Sequence, residues 1–511
     1  MNAPEYEFLK APVCLINTND KHPYRTPFMR DRDLIMYSKP FLRLTSKTQV
    51  VKFGTDDHAR TRLTHTLEVA QIARTISKQL GLDEDLTEAI ALGHDIGHTP
   101  FGHVGERILN MITNNCIKMG NLIEQIPNEW RGFKHNLQSV RVLVENSNDR
   151  KPTCFTLYGI REHSKTSYKP CFQARDYENA CVNPTTSNTS CNNQGKLHLN
   201  YYDKYNEWCC IENDEKLYSA WSFEAYVVRW SDEVAQRHHD LEDAITTKLI
   251  TCNDITGILF PLYHLCERTL NSKEIKNKWD KLKSVCRDRQ ADNNTVKSCL
   301  SRFLVDAYVT FLIEAFSSIF NVFCKKYSID CKDKYSEAYL RIQSNEISDL
   351  LLNLKSKAYP DLDKKYAELV RVDKILQEKM SALILDSYDV QRMDGKASYV
   401  IRCLVKAYLT NPQQLPDSYI EQAFLEVRDV LKQQNNKKPY DQLLRKCRTT
   451  ASLDLENIKR KQTYKYRKAL TLSRESSQIN SILRFALLRA ICDHVGSMTD
   501  RYALEEFRNL Y

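Results

Sequence analysis

Apolar residues at three- and four-residue steps run through most of this chain. Glycine and proline, which interrupt such a pattern, number only 13 and 15 in 511 residues. Leu63, Leu67, Ala70, Ala73, Ile76 and Leu80 form one such series and place His65 on an amphipathic helix. Leu86 and Ile90 lead into His94 at the same spacing, and Val104, Ile108 and Ile112 continue beyond a turn at 99–102. Phe223, Val227, Val234, Leu241, Ile245 and Leu249 mark a long helix carrying Asp232. The stretches 303–323, 365–384 and 396–409 read as buried helices, and the best of the few strand patterns is Gln49-Val-Val-Lys-Phe53. The expectation is an all-α fold.

On this helical frame the histidines are unevenly placed. Thirteen occur in the chain, so 58–135 should hold about two; it holds six, at 58, 65, 94, 98, 103 and 135. His94 and Asp95 are adjacent, and neighbours on a helix diverge by about 100°. They converge on one ion only at a helix end near the axis of a bundle, and Gly97 is the expected stop for that helix. Imidazoles and carboxylates at this density point to a metal centre with acid–base groups beside it. His65 is a good third ligand. The fourth should be a carboxylate on a later helix, and Asp232 lies among apolar neighbours where an unpaired charge is expensive. A buried ion pair or helix cap is the alternative for Asp232. Two imidazoles and two carboxylates suit Mg²⁺, Mn²⁺ or Fe²⁺.

The net charge of +9 suits a polyanionic ligand such as a nucleotide without demanding DNA. No apolar run approaches the length that crosses a bilayer, and the start, Met1-Asn-Ala-Pro-Glu-Tyr-Glu-Phe8, lacks the features of an export signal. Seventeen cysteines, with no Cys-x-x-Cys pair among the six between 150 and 210, read as reduced thiols of a cytoplasmic protein. The stretch 146–220 is polar, carries Pro152, Pro170 and Pro184, and reads as a partly irregular insertion. A basic run from Lys459 to Lys468 is either a solvated helix face or a second nucleotide or nucleic-acid contact.

The segments Arg60-Thr-Arg62-Leu-Thr-His65 and His94-Asp95-Ile-Gly-His98, with the carboxylate at 232, resemble the signature of the HD superfamily of helical metal-dependent phosphohydrolases. Further blocks are similar to the deoxyguanosine triphosphate triphosphohydrolases (dGTPases). These are Ser38-Lys-Pro-Phe-Leu-Arg43 through Gln49, His98-Thr-Pro-Phe-Gly-His103-Val-Gly-Glu106, Phe133-Lys-His135-Asn136, Asp240-Leu-Glu-Asp243 and Gly496-Ser-Met-Thr-Asp500-Arg501-Tyr502. The resemblance fades near 165–215. It implies an HD core begun by 1–145, interrupted by the Cys-containing insertion 146–220, completed by 221–330 and followed by a helical C-terminal region, 331–511.

The resemblance also implies hydrolysis of a deoxynucleoside triphosphate, dGTP favoured, to deoxynucleoside and tripolyphosphate. It assigns the metal to His65, His94, Asp95 and Asp232. It gives the acid–base role to His103 with Glu106 orienting its ring, and sets His98 near the phosphate as either catalyst or contact. It makes Arg62 a phosphate contact, for which a surface ion pair is the alternative, puts Gln49 near the sugar 3′-hydroxyl, and places His135 and Asn136 beside the metal. His163 resembles a further family histidine without a stated role. Many relatives carry tyrosine where this chain has Gln236, which leaves sugar and base preference open, although Asp240 remains available for substrate. Family members commonly form homo-oligomers, often hexamers, and respond to nucleotides or single-stranded DNA; their activity would serve pool balance or limit phage replication. No membrane role is implied. The competing readings are an HD phosphodiesterase acting on cyclic nucleotides or oligonucleotides, and a nucleic-acid-binding protein with a degenerate HD core; the intact ligand set argues against the second.

Overall fold

A computed structural model describes residues 6–16, 22–47, 61–119, 125–146, 150–167, 197–288, 290–329, 338–342, 364–433, 467, 470 and 478–511. Gln49 and its strand pattern, most of 165–215 and the basic run apart from Arg467 lie outside the described residues. Among those described the fold is helical, with one two-stranded antiparallel hairpin.

In chain order the first helices are α1 (Pro27–Met36), α2 (Arg62–Leu80), α3 (Glu84–Gly93), α4 (Gly102–Thr113), α5 (His135–Asn146) and α6 (Cys154–Glu162). The hairpin β1 (Cys210–Asn213) and β2 (Lys216–Ser219) leads into α7 (Phe223–Thr246). Then come α8 (Cys252–Leu270), α9 (Lys273–Arg287), α10 (Asn293–Tyr327), α11 (Lys364–Met380), α12 (Tyr388–Thr410), α13 (Asp417–Gln433), α14 (Gln478–Ser497) and α15 (Asp500–Leu510).

Local signals set the helix limits. Thr61 caps α2, its hydroxyl accepting from Thr64 N, and Gly81 ends the helix at φ 77°. Asp83 and Ser222 cap α3 and α7 in the same way. The apolar faces then assemble the body: α2 packs against α3 and α7, α1 against α3, and α6 against α3, α5 and α7. Val69, Ala73, Ile76, Leu86, Ile90, Phe155, Leu157, Val227 and Val234 meet there, fully or almost fully buried. Each large side chain of this kind contributes about 1.5–3 kcal/mol on burial.

Three sequence expectations change. Helix α6 lies inside the stretch read as an insertion, yet Phe155, Leu157 and Ile160 are in the core. Asp31 fixes its start, accepting from Thr153 N at 2.8 Å, Thr153 Oγ1 at 2.6 Å and Thr156 Oγ1 at 2.7 Å. Second, α10 contains an 18-residue window of mean hydropathy 1.6, long and apolar enough by composition to cross a membrane. It packs instead against α2, α7, α8 and α9, burying Leu300, Phe303, Leu304, Phe311, Phe316 and Phe320. Third, α7 ends at Thr246, before Leu249.

The C-terminal helices are not remote from the first part of the chain. Helices α12 and α14 pack on α4, and Asp500 Oδ1 accepts from Phe101 N at 2.9 Å. Phe101 has φ 61°, a left-handed backbone that is unusual for a bulky residue. The turn leading into α4 is thus held from the far end of the sequence.

Candidate metal centre

Helix α3 stops at Gly93, earlier than the stop expected at Gly97, and His94 to Gly97 form a turn. His94 keeps helical backbone angles, φ −59° and ψ −41°, so the two adjacent side chains approach one another at the very end of the helix. Gly97 has a different task. A Cβ there would lie 2.3 Å from His135 O and 2.4 Å from Ser139 N, so only glycine lets the turn touch α5. Ser139 Oγ staples the contact, accepting from Gly97 N at 2.9 Å and donating to His94 O at 2.9 Å.

Four side chains converge beside this turn. His65 Nε2 lies 3.0 Å from Asp232 Oδ1; His94 Nε2 lies 3.7 Å from the same oxygen and 3.5 Å from Asp95 Oδ1. Ligand atoms of His65, His94 and Asp95 all fall within 4.8 Å of one another. His94 Nδ1 meets Ala91 O at 2.6 Å and must donate to it, which leaves Nε2 a lone pair. Among the described residues that nitrogen is buried with no hydrogen-bond partner. An orphaned imidazole lone pair facing two carboxylates is the donor set a divalent cation needs, and the residues fit one. Asp95 and Asp232 stay ionised: burial alone would push both up, but the facing imidazoles, with Arg62 beside Asp95, hold them below the usual carboxylate range.

A second group adjoins the first. His103 and Glu106 occupy one face of α4, at i and i+3. Glu106 accepts from His135 N at 3.0 Å and from the His135 Nδ1, a partner that the resemblance, which set Glu106 beside His103, did not supply. His135 holds Glu106 well below the usual range against the upward push of burial. His135 Nε2 meets His163 Nε2 at 3.1 Å, and His163 Nδ1 donates to Ile160 O at 2.6 Å. The ring of His98 stacks on that of His135 with centroids 3.9 Å apart, and His98 Nε2 lies 3.2 Å from Asp95 Oδ1. His98 is therefore the link between the two groups.

His103 has accessible surface although protein atoms crowd around it, the combination produced by the floor of a cleft. Those surroundings, with His135 and Arg62, push its pKa down to about 4 against the pull of Glu106. Asp232 is also partly open, at 23% of its side chain. Access from solvent therefore reaches both groups.

The remaining sequence candidates fall as follows. Arg62 is buried rather than on a surface, its Nη1 2.6 Å from Asp95 Oδ2. Asn136 donates to Arg161 O at 2.5 Å and Ser164 O at 3.2 Å, tying α5 to the end of α6 that carries His163. Asp240 lies two turns beyond Asp232, about 12 Å along the helix; burial and the charges of Asp243 and Glu233 raise it to about 7, against Arg237. Gln49 lies outside the described residues. Sequence reasoning missed Glu68 and His239, which touch this centre from behind: His239 Nδ1 lies 3.1 Å from His65 Nδ1, and His239 Nε2 lies 2.6 Å from Glu68 Oε2. A signal was present, since His239 follows Asp232 by seven residues and shares its helix face.

The family model of the HD domain matches residues 62–180. That stretch is similar to the HD domain. Its described part contains α2 to α6, with α7 adding Asp232 from beyond the match. The chain is 28% identical to a deoxyguanosinetriphosphate triphosphohydrolase-like protein of Bordetella pertussis over 95% of its own length and 90% of that protein. Proteins of the same description from Caldanaerobacter subterraneus and Clostridium tetani are 38% and 39% identical. These two matches cover 46% and 49% of this chain, and 51% and 54% of the relatives.

Proposed function

We propose that this HD-domain phosphohydrolase hydrolyses deoxynucleoside triphosphates, dGTP favoured, at the α-phosphorus, releasing deoxynucleoside and tripolyphosphate. The observation that carries the reading is the convergence of His65, His94, Asp95 and Asp232 beside a second group of His98, His103, His135 and Glu106. The description of the relatives supports the choice of substrate.

His65, His94, Asp95 and Asp232 would hold a divalent ion, Mn²⁺ or Mg²⁺ with Fe²⁺ also suited. When bound it supplies Lewis acidity to a phosphate oxygen and to water. The protein supplies the rest. His103, open to the cleft and neutral in its present surroundings, accepts a proton from the attacking water. An anionic triphosphate nearby favours the charged imidazole, which then returns a proton to the 5′-oxygen of the leaving deoxynucleoside. Glu106 acts through His135, fixing that ring and supplying negative charge one turn from His103. Arg62 keeps Asp95 oriented and offers its remaining N–H groups, among them an unpartnered Nε, to phosphate oxygens.

The test is a panel of the four deoxynucleoside triphosphates with Mn²⁺ or Mg²⁺ and products separated by ion-exchange chromatography. Tripolyphosphate, lost in D232A and H103A, is expected. Release of nucleoside monophosphate would refute cleavage at this bond and favour a phosphodiesterase. The same reading carries a cytoplasmic homo-oligomer, a hexamer by family resemblance, with nucleotide or single-stranded DNA as effector. Light scattering, and the panel repeated with oligonucleotide present, check these.

A further inference from the structure

Behind the proposed metal ligand His65 the structure contains a chain of side chains that the hydrolytic reading does not use. Glu68 stands one turn after His65 on α2, and His239 stands two turns after Asp232 on α7, so both lie on the faces that already point to the centre. Glu68 Oε2 is 2.6 Å from His239 Nε2, and His239 Nδ1 is 3.1 Å from His65 Nδ1. The other Glu68 oxygen, Oε1, meets His238 Nδ1 at 2.6 Å, and His238 Nε2 is held by Ser301 Oγ at 2.6 Å and Glu242 Oε1 at 3.2 Å. His65 and His239 are buried.

The direction of each hydrogen bond follows from what each group can do. An ionised carboxylate only accepts, so the proton between Glu68 and His239 sits on His239 Nε2. A neutral His239 then has its lone pair on Nδ1. Two imidazole nitrogens 3.1 Å apart need one donor, and the donor must be His65 Nδ1. With Nδ1–H committed to His239, the nitrogen left to face a cation is Nε2, which in the empty centre donates to Asp232 Oδ1 at 3.0 Å beside the orphaned nitrogen of His94. The opposite tautomer of His65 would place N–H where a cation has to bind. His94 obtains the same tautomer directly from the backbone carbonyl of Ala91. For His65 two side chains, His239 and Glu68, do the same work.

We propose that Glu68 and His239 are positioning residues that set the tautomer and orientation of His65 for cation binding. The inference rests on His65 being a ligand. Partners of this kind typically change metal affinity by about 10–100-fold when removed.

The experiment titrates the metal-stripped full chain with Mn²⁺, following free ion by electron paramagnetic resonance and heat by calorimetry, with H65A and D232A as references. H239F keeps a ring but loses the acceptor for His65 Nδ1–H; H239Q returns an amide oxygen able to accept it. E68Q removes the carboxylate that orders the chain. H239F and E68Q are expected to weaken Mn²⁺ binding about 10–100-fold, and H239Q to recover most of the loss. A merely space-filling role would instead spare H239F and penalise H239Q. Should H239F fail to fold, E68Q decides alone. Wild-type affinity in both E68Q and H239F, with binding lost in H65A, overturns the relay and leaves the centre standing. Unchanged binding in H65A and D232A overturns the centre itself. Two ions per wild-type chain, one of them lost in E68Q, would make Glu68, His238 and His239 a cation site of their own and also overturn the relay.

Discussion

Replacing Gly97 by alanine isolates what holds the His94–Asp95 turn in place. The added methyl would sit 2.3 Å from His135 O, 2.4 Å from Ser139 N and 2.8 Å from Gln138 C. All three are backbone atoms of α5, which no rotamer change can move. Restoring ordinary contact near 3.4 Å requires the turn and the helix to part by about 1 Å. The two Ser139 bonds that staple the turn, each 2.9 Å, stretch with that movement. Overpacking of a rigid site costs about 1–3 kcal/mol, and weakened hydrogen bonds add about 1 kcal/mol. Gly97→Ala should therefore lose about 3 kcal/mol in urea unfolding. Because metal ligands must be held to within about 0.5 Å, Mn²⁺ affinity should fall by about tenfold or more. Gly93→Ala is the control: its methyl meets the side-chain atoms Ile160 Cδ1 and Ile35 Cδ1, which can turn away, so the loss should be smaller. A Gly97→Ala protein that unfolds with wild-type stability and binds Mn²⁺ equally well would refute the claim that this contact positions the ligands.

Three further outcomes are expected. Gly257, exposed within α8, has nothing within 4 Å of an added Cβ, so Gly257→Ala should raise stability by about 0.5–1 kcal/mol in the same unfolding assay. Glu224 is buried, accepting from Asp83 N at 3.0 Å and Ala11 N at 3.3 Å, and burial with the Asp83 charge raises its pKa from 4.5 to about 7. A raised folded pKa means this group's stabilisation is complete below about pH 4.5 and drains away as pH rises towards 7. Between pH 5.5 and 8 wild type should therefore lose about 2 kcal/mol relative to Glu224→Gln, and parallel stability curves would contradict it. Finally, Mn²⁺ at about a hundred times its dissociation constant should stabilise the chain by about 2.7 kcal/mol. Calorimetric scans should show no such gain in D232A.

Much of the centre was legible in the sequence because its ligands stand on helices whose apolar faces repeat cleanly. The Leu63–Leu80 series aims His65 inward, and the Phe223–Ile245 series does the same for Asp232. What was not legible depends on contacts between distant segments. Helix α6 is nine residues buried nearly all round, so no polar stripe marks it; its start is fixed by Asp31, more than 120 residues away. The resemblance paired Glu106 with His103, its neighbour on a helix face. The ring of His135, 29 residues on, reaches the carboxylate. Sequence spacing ranks only local partners, and such competition is decided in three dimensions.

The buried ion pair of Arg62 and Asp95 raises an apparent conflict, because a cation bound to Asp95 and a guanidinium on the same carboxylate would repel one another. The two oxygens of Asp95 resolve it. Oδ2 takes Arg62 Nη1 at 2.6 Å, while Oδ1 turns the other way, 3.5 Å from His94 Nε2 and 3.2 Å from His98 Nε2. Arg62 would therefore occupy the oxygen that a bound cation does not use and fix the rotation that presents the other. Arg62 and the cation also need not be balanced by Asp95 alone, because Asp232 faces the same imidazoles and a bound triphosphate would add several negative charges. On this view an empty centre carries one ion pair that keeps its carboxylate ready, and substrate supplies the charge that a filled centre would otherwise lack. Arginine suits the place better than lysine, since its fork holds the carboxylate through one nitrogen and keeps other donors for phosphate.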